Sequence, residues 1–369
     1  MQVDRLCKSL ARRWLLICGL LGMTSYYYSR KRHQLVRSTW LRIYSGLALC
    51  FSIGGYYFYF THGQKYFIPS YFRHFELLNV ICTINMSLHL VVIVAQSVQR
   101  LTNEKEICRL CNQLMSLCRM WKLKHSFNST CKVLLLTKAF TYVHQVTSSL
   151  VGILIVIESR RLTRMDIFCN LYYIFNFNIM FSHMLAYMLI LLQLAETMRL
   201  NAADGNLQFW TKLCRQAKLS LMTRRIHQLF ALEIVIVLLA HLFFNTCTFY
   251  LAYMITRDGQ YWNIKVQLTI FSFLIKLLDI LLIQLVCEYL LAEEKQLFRQ
   301  LNSLEFQIDT GEFQCQIAQL MHATVSSKCP PKHVLGMFSL DKRCAFNIMS
   351  SSLGYAILIM QIGYIYREI

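Results

Sequence analysis

Seven long apolar runs constrain this chain more than any other feature. They cover residues 40–60, 75–98, 133–157, 166–194, 230–255, 266–290 and 344–366. A helix of about 20 apolar residues, rising about 1.5 Å per residue, crosses the roughly 30 Å hydrocarbon core of a bilayer. Each run is long enough. The composition agrees: 56% of the 369 residues are apolar and 15% are charged, against about 25% charged in soluble domains. Disordered chains combine low hydrophobicity with high net charge and are excluded. The expected fold is all-α, a seven-transmembrane helical bundle.

Charge sets the orientation. Residues 1–39, 99–132, 195–229 and 291–343 carry 27 Lys and Arg, and the segments on the opposite side carry 8. Within about 15 residues of a span end, where the positive-inside rule acts, the split is 21 to 8. The amino terminus is therefore expected in the cytosol. The net charge of +19 is spread between the apolar runs and fits anionic membrane lipids rather than nucleic acid. An eighth run, Trp14 to Tyr28, is too short to span and has basic flanks (Arg12, Arg13; Arg30, Lys31, Arg32). It reads as an interfacial helix within a cytosolic segment 1–39. Residues 288–308 and 207–229 keep a helical apolar stripe, so spans four to six are expected to project into the cytosol, up to Pro330-Pro331. The sequon Asn128-Ser129-Thr130 falls on the cytosolic side.

The 15 cysteines are scattered, several of them inside apolar runs, and read as small buried hydrophobes. Cys108, Cys111 and Cys118 with His125 lack a second close ligand pair. No metal and no cofactor are expected.

Polar residues inside lipid are costly and face the protein interior. Thr141, Gln145, Ser148 and Gly152 share a stripe of span three. Tyr172, Asn176 and His183 lie on span four, and His241, Asn245 and Thr248 on span five. As a set they suit a small-molecule pocket in the outer half of a six-helix ligand-binding bundle, residues 40–290. Singly, each also suits interhelical hydrogen bonding. Lys276 and Asp279, three apart in span six, are spaced to pair as an intramembrane ion pair, either structural or gating. Lys138 and Glu233 sit near cytosolic ends, where they can snorkel. In span seven, Asn347, Ser351, Gly354, Leu358 and Gln361 recur at steps of three or four. Such a stripe suits a wet pore lined by several copies, or close packing through small residues.

The last stretch carries a signature. Gly336-Met337-Phe338-Ser339-Leu340-Asp341 precedes span seven, and Gly354-Tyr355, five apolar residues and Gln361-Ile362 lie within it. This resembles the closing motif of insect gustatory receptors: Gly-x-Phe-x-Leu-Asp/Asn, then Thr-Tyr, five hydrophobics and Gln-Phe. Gly354 stands for the Thr and Ile362 for the Phe. The resemblance implies a subunit of a ligand-gated, non-selective cation channel that detects a small-molecule tastant and assembles as a homo- or hetero-tetramer. It implies a pore-lining seventh helix, 344–366, with the extracellular-side constriction at Gln361 and Ile362. It also implies a cytosolic anchor from residues 195–229 and 291–343, and a plasma-membrane location on chemosensory dendrites.

Three rival readings fit less well. A G-protein-coupled receptor needs the amino terminus outside, an acidic-Arg-Tyr run after span three and Asn-Pro-x-x-Tyr in span seven; span seven has no proline. Transporters often have broken helices and internal repeats; no run here contains proline. Enzyme motifs with a plausible context are lacking.

Overall fold

The structure, a computed structural model, describes residues 2–67, 76–121, 127–159, 163–204, 209–257, 264–305, 333–334 and 338–368. Eight helices occur among them: α1 (Gln2–Leu20), α2 (Thr39–Phe67), α3 (Glu76–Met120), α4 (Ser129–Ser159), α5 (Arg164–Ala203), α6 (Phe209–Arg257), α7 (Ile264–Glu305) and α8 (Lys342–Glu368). Two antiparallel ribbons complete the order, β1 (Tyr26–Ser29) with β2 (Gln34–Arg37), and β3 (His333–Val334) with β4 (Phe338–Ser339). The seven apolar runs fall in α2 to α8, one run to each helix.

The short run 14–28 divides instead of forming one helix. Gly22 takes φ +69°, Met23 N–H bonds Cys18 C=O at 2.8 Å, and Gly22 N–H bonds Gly19 C=O at 3.1 Å. That is a Schellman cap, and it ends α1 at Leu20. A Cβ at position 22 would sit 2.6 Å from Ala48 Cβ, so the turn also needs glycine for space. The tyrosines beyond it suit a strand and enter β1. One face of α1 is buried through Cys7, Trp14 and Cys18, with Trp14 edge-on to Tyr142 of α4 at 4.9 Å. Leu16 and Leu20 stay exposed.

Three helices run well past their apolar segments: α3 to Met120, α5 to Ala203 and α7 to Glu305. Helix α6 begins at Phe209, twenty-one residues before its apolar run. The extension of α3 is not announced by hydropathy, because Arg100 to Glu106 is rich in charge. It forms because its faces are sorted. Ile107, Leu110, Leu114 and Leu117 are buried at helical spacing. Gln99 and Asn103 donate to Leu229 C=O of α6 at 2.5 and 3.2 Å.

A continuous core fills the bundle. Tyr187, Met188, Leu191, Leu194 and Met198 of α5 are fully buried with Leu219, Ile234 and Leu238 of α6. Glu196, 2% exposed, gathers three elements at the inner end of α5. Its carboxylate accepts Asn128 N–H at 2.8 Å, Tyr289 O–H at 3.1 Å and Arg199 Nε at 2.9 Å. The sequon asparagine is thus built into the start of α4. Pro330-Pro331 and His125 lie outside the described residues.

Candidate functional site: the polar interior and the face of α8

Helix α8 begins where the first part of the closing motif ends, at Asp341. Asp341 caps it, accepting Cys344 N–H on Oδ1 at 2.9 Å, which satisfies one of the free donors of the first turn. Leu340, 5% exposed, sets the motif into the core. Lys342 is tied to Glu288 of α7 twice, through its backbone N–H at 2.9 Å and its Nζ at 2.8 Å. The entry of α8 is therefore fixed to α7.

Small residues seat the rest of α8 on α6. Ala345, Ser352 and Ala356 are fully buried. Ser352 Oγ donates toward Ile348 C=O at 2.7 Å or Leu242 C=O at 3.1 Å, and Thr246 Oγ1 donates to Ser352 C=O at 3.3 Å. Near the outer end, a Cβ on Gly363 would sit 3.3 Å from the Tyr250 hydroxyl. The other faces are bare within the protomer. Asn347, Ser351, Gly354, Leu358, Gln361 and Ile362 are all exposed. A Cβ on Gly354 would meet nothing within 4 Å. The stripe's small residues therefore do not serve packing inside this subunit; that work falls to Ala345, Ser352 and Ala356 on another face.

The expected pocket residues are mostly buried, and their partners differ. On α5, the Tyr172 hydroxyl donates to Ser52 C=O of α2, and Asn176 Nδ2 donates to Tyr172 C=O at 3.2 Å. Tyr172 sits against Gly55, where a Cβ would come 2.7 Å from its ring. Phe51, Phe168 and Tyr59 surround it with rings 5.1 to 6.0 Å away. Asn176 Oδ1 is buried without a hydrogen-bond partner among the described residues. On α6, His241 lies edge-on to Phe244 at 6.4 Å, and His89 of α3 packs on the same Phe244 at 4.3 Å. Asn245, 1% exposed, keeps Nδ2 without a partner among the described residues. Thr248 returns its hydroxyl to Phe244 C=O at 2.7 Å and so serves its own helix. On α4, Gln145 is 3% exposed, and Ser148 Oγ lies 3.3 Å from His144 Nε2. The side chain of His183 lies outside the described residues, and of Gly152 only its place in α4 is described. Tyr172 and Asn176 thus share one cluster with α2, while His241 and Asn245 belong to the α3–α6 side.

Buried charges inside the bundle meet across helices. Asp279 is held from α4: Lys138 Nζ reaches its two oxygens at 2.6 and 2.7 Å, and Thr141 Oγ1 donates to Oδ1 at 2.8 Å. Lys138 is 0% and Asp279 3% exposed. The expected partner, Lys276 on the same helix, has a side chain outside the described residues. Lys138 does not snorkel toward the cytosol; it crosses to α7. Spacing within one helix pointed to i, i+3 pairing with Lys276, a pairing the described residues do not test; the described partner of Asp279 lies on the facing helix α4. Counted from the inner ends of their runs, the two sit about 9 Å apart in depth, which hid the pairing. The usable signal was that both were charges inside apolar runs needing a partner.

These features sit on a chain with known relatives. A family model described as "7tm Chemosensory receptor" matches residues 11–366. "Putative gustatory receptor 10b" of Drosophila melanogaster is 33% identical over 375 residues, covering 99% of this chain and 100% of that one. The solved structure of the olfactory receptor OR5 from Machilis hrabei, in complex with eugenol, has a TM-score of 0.62 at 12% identity. That match covers 98% of this chain and 100% of the other, and it shows the same fold. A matched family model over nearly the whole length, together with a third of the residues shared with one full-length relative, assigns this chain to the seven-transmembrane chemosensory receptor family.

Proposed function

We propose that this receptor is a gustatory, contact-chemosensory subunit of a ligand-gated, non-selective cation channel. It works in the plasma membrane of chemosensory dendrites, within a homo- or hetero-tetramer. The observation that carries the reading is the bare stripe of α8. A helix with one weakly polar face that its own bundle leaves uncovered is suited to a pore shared between copies. Asn347 and Ser351 wet the inner part, Gly354 and Leu358 the middle, and Gln361 with Ile362 narrows the outer end. Ile362 supplies an apolar ring that can dewet.

The tastant binds among the buried polar side chains of α4, α5 and α6. Asn176 Oδ1 offers an acceptor in the ring-lined cluster beside α2, which suits a small polar or aromatic molecule, and Asn245 Nδ2 offers a separate donor on the α6 side. The eugenol complex of the OR5 structure supports a small molecule as the ligand. Opening follows from tighter binding to the open state, because only differential affinity shifts a conformational equilibrium. Residues 195–229 and 291–343, of which 205–208, 306–332 and 335–337 lie outside the described residues, form the proposed anchor between subunits on the cytosolic side.

Whole-cell recording from cells expressing the chain, alone and with related subunits, tests the reading with a ligand panel. Gln361→Ala is expected to change unitary conductance or resting leak. Asn176→Ala is expected to shift the dose–response curve with conductance intact. Currents indifferent to both substitutions would sink the assignment.

A further inference from the structure

A groove of about 560 Å³ opens between the β1–β2 hairpin and the inner half of α3. Four cations line it, Arg32 and Arg37 from the hairpin and Lys105 and Arg109 from α3. Asn112 and Gln113 continue the same helical face with neutral donors. No carboxylate is among the described lining residues. The acidic side chains of this stretch are engaged elsewhere. Glu104, 1% exposed, accepts Ser25 N–H at 2.5 Å, and Glu106 pairs with Arg225 of α6 at 2.5 Å. The helix has thus sorted its charges, with basic residues on the groove and acidic ones away from it.

The groove is a built feature and not a chance meeting of surface chains. Asn112 Oδ1 accepts Leu35 N–H at 2.7 Å, and Asn112 Nδ2 donates to Leu35 C=O at 2.9 Å. This is the pair of bonds a neighbouring strand would make, and it pins the hairpin to α3. Ser38 N–H closes the hairpin base on Ser25 C=O at 2.7 Å. On the floor, Cys108 Sγ lies 3.7 Å from Leu35 C=O. Burial pushes the Cys108 thiol up, and Arg37 pulls it part of the way back. Holding four like charges in one place is unfavourable unless an anion joins them.

Its location says which anion. Trp40, 81% exposed, follows Arg37 by three residues at the start of α2, and Tyr27 and Tyr28 are exposed on β1. Exposed Trp and Tyr beside a spanning helix mark the headgroup level. Lys105 lies seven residues beyond the apolar run of α3, about 10 Å along the axis. The headgroup layer is about 5–8 Å deep on each side. Lys105 therefore stands just outside its aqueous edge and Arg109 one turn further out, about 16 Å along the axis, where a headgroup that projects well beyond the choline level presents its phosphates. The volume lies within the roughly 300–1,000 Å³ usual for small-molecule sites.

We propose that this groove binds the phosphorylated headgroup of an anionic inner-leaflet lipid, with Arg32, Arg37, Lys105 and Arg109 on its phosphate oxygens. Guanidinium groups bind phosphate in a bidentate manner, and three of the four cations are arginine. The inference goes beyond ligand gating and rests on the cytosolic orientation of the hairpin. Binding in detergent does not depend on orientation, so failure of the site and failure of the topology are read separately.

The test uses the purified full chain in non-ionic detergent and fluorescence anisotropy of short-chain phosphatidylinositol 4,5-bisphosphate. Saturable binding is expected, at least about tenfold tighter than for phosphatidylcholine carrying the same fluorophore. Lys105→Gln with Arg109→Gln should weaken it by about tenfold or more, whereas Arg37→Lys, which keeps the charge but loses the planar fork, should weaken it by a smaller factor. Arg119→Gln removes an exposed charge of the same helix outside the groove and should leave binding within about twofold. Equal loss from Arg119→Gln, or equal binding of the choline lipid, overturns the proposal. So does soluble inositol 1,4,5-trisphosphate competing as well as the lipid, which would make this a site for a free phosphate.

Discussion

Helices α6 and α8 lie side by side, and both are long and apolar enough to cross a membrane. Yet 67% of the apolar window of α6 is buried within the protomer, against 17% for α8. The buried window is also the more apolar of the two, with mean hydropathy 2.1 against 1.5, so hydropathy alone does not drive α8 into the bundle's interior. The difference lies in where small and polar groups fall. On α6, His241, Asn245 and Thr246 are buried and face neighbouring helices. On α8, the small residues divide between a narrow seam of Ala345, Ser352 and Ala356 and a stripe left open. Lipid covers apolar side chains at no cost but does not wet serine, asparagine and glutamine. A stripe of such groups left uncovered by its own subunit awaits another subunit or water. The inside of the bundle is therefore expected to govern whether the protein folds, and the face of α8 to govern conduction if the proposed channel forms.

The largest effect is expected in the interior. Asp279→Ala leaves the Lys138 ammonium buried without its counter-charge, which costs about 3–5 kcal/mol. Thermal unfolding in detergent should shift down sharply, and cell-surface delivery should fall. The double substitution Lys138→Met with Asp279→Leu should recover most of the loss, since an apolar pair of similar volume is often neutral. No recovery would show that the pair does more than balance charge, and would favour a gating role.

Next come the tight contacts. Ala356→Leu overfills the α6–α8 seam and should cost about 1–3 kcal/mol. If α8 lines the proposed pore, the substitution should also shift the balance between closed and open channels, read as a changed resting current. Gly55→Ala drives a methyl into the Tyr172 ring, which its hydroxyl bond to Ser52 holds in place. A similar cost of about 1–3 kcal/mol is expected, with a change in tastant sensitivity and none in unitary conductance. If Gly55→Ala altered conductance and Ala356→Leu did not, the division of labour between interior and α8 would be reversed.

Much of this was legible in the chain. Long apolar runs name their own helices because the bilayer fixes a length, and the closing motif reads physically: Leu340 anchors and Asp341 caps. The α8 stripe was legible as a face, since period alone places Asn347, Ser351 and Gln361 together. Whether that face was packed or open was not, because period does not say which side a neighbour takes. The Lys138–Asp279 pair was hidden for a related reason. Spacing within a helix is visible in sequence, whereas the depth and tilt that bring two helices' charges together are set by packing. The inner extension of α3 escaped because its burial is spread over isolated leucines among charged residues. The end of α1 is a backbone event, written in Gly19 and Gly22 but masked by the apolar residues between them.

The smallest effect on stability is expected where the effect on current is most specific. Ser351→Cys replaces one exposed small side chain by another, so unfolding should move by no more than about 0.5 kcal/mol. If the stripe borders water, a membrane-impermeant thiol reagent should reach the introduced thiol and reduce current, faster while ligand holds the channel open. The comparison position is Leu353, two residues along and also exposed, but turned off the stripe. Leu353→Cys should react slowly or not at all, because lipid or a neighbouring subunit covers that face and a charged reagent does not enter. Cys50 and Cys214, already exposed, give the background rate. Equal reaction at 351 and 353 would mean that α8 has no single wet side, and the contrast with α6 would then be one of lipid exposure alone.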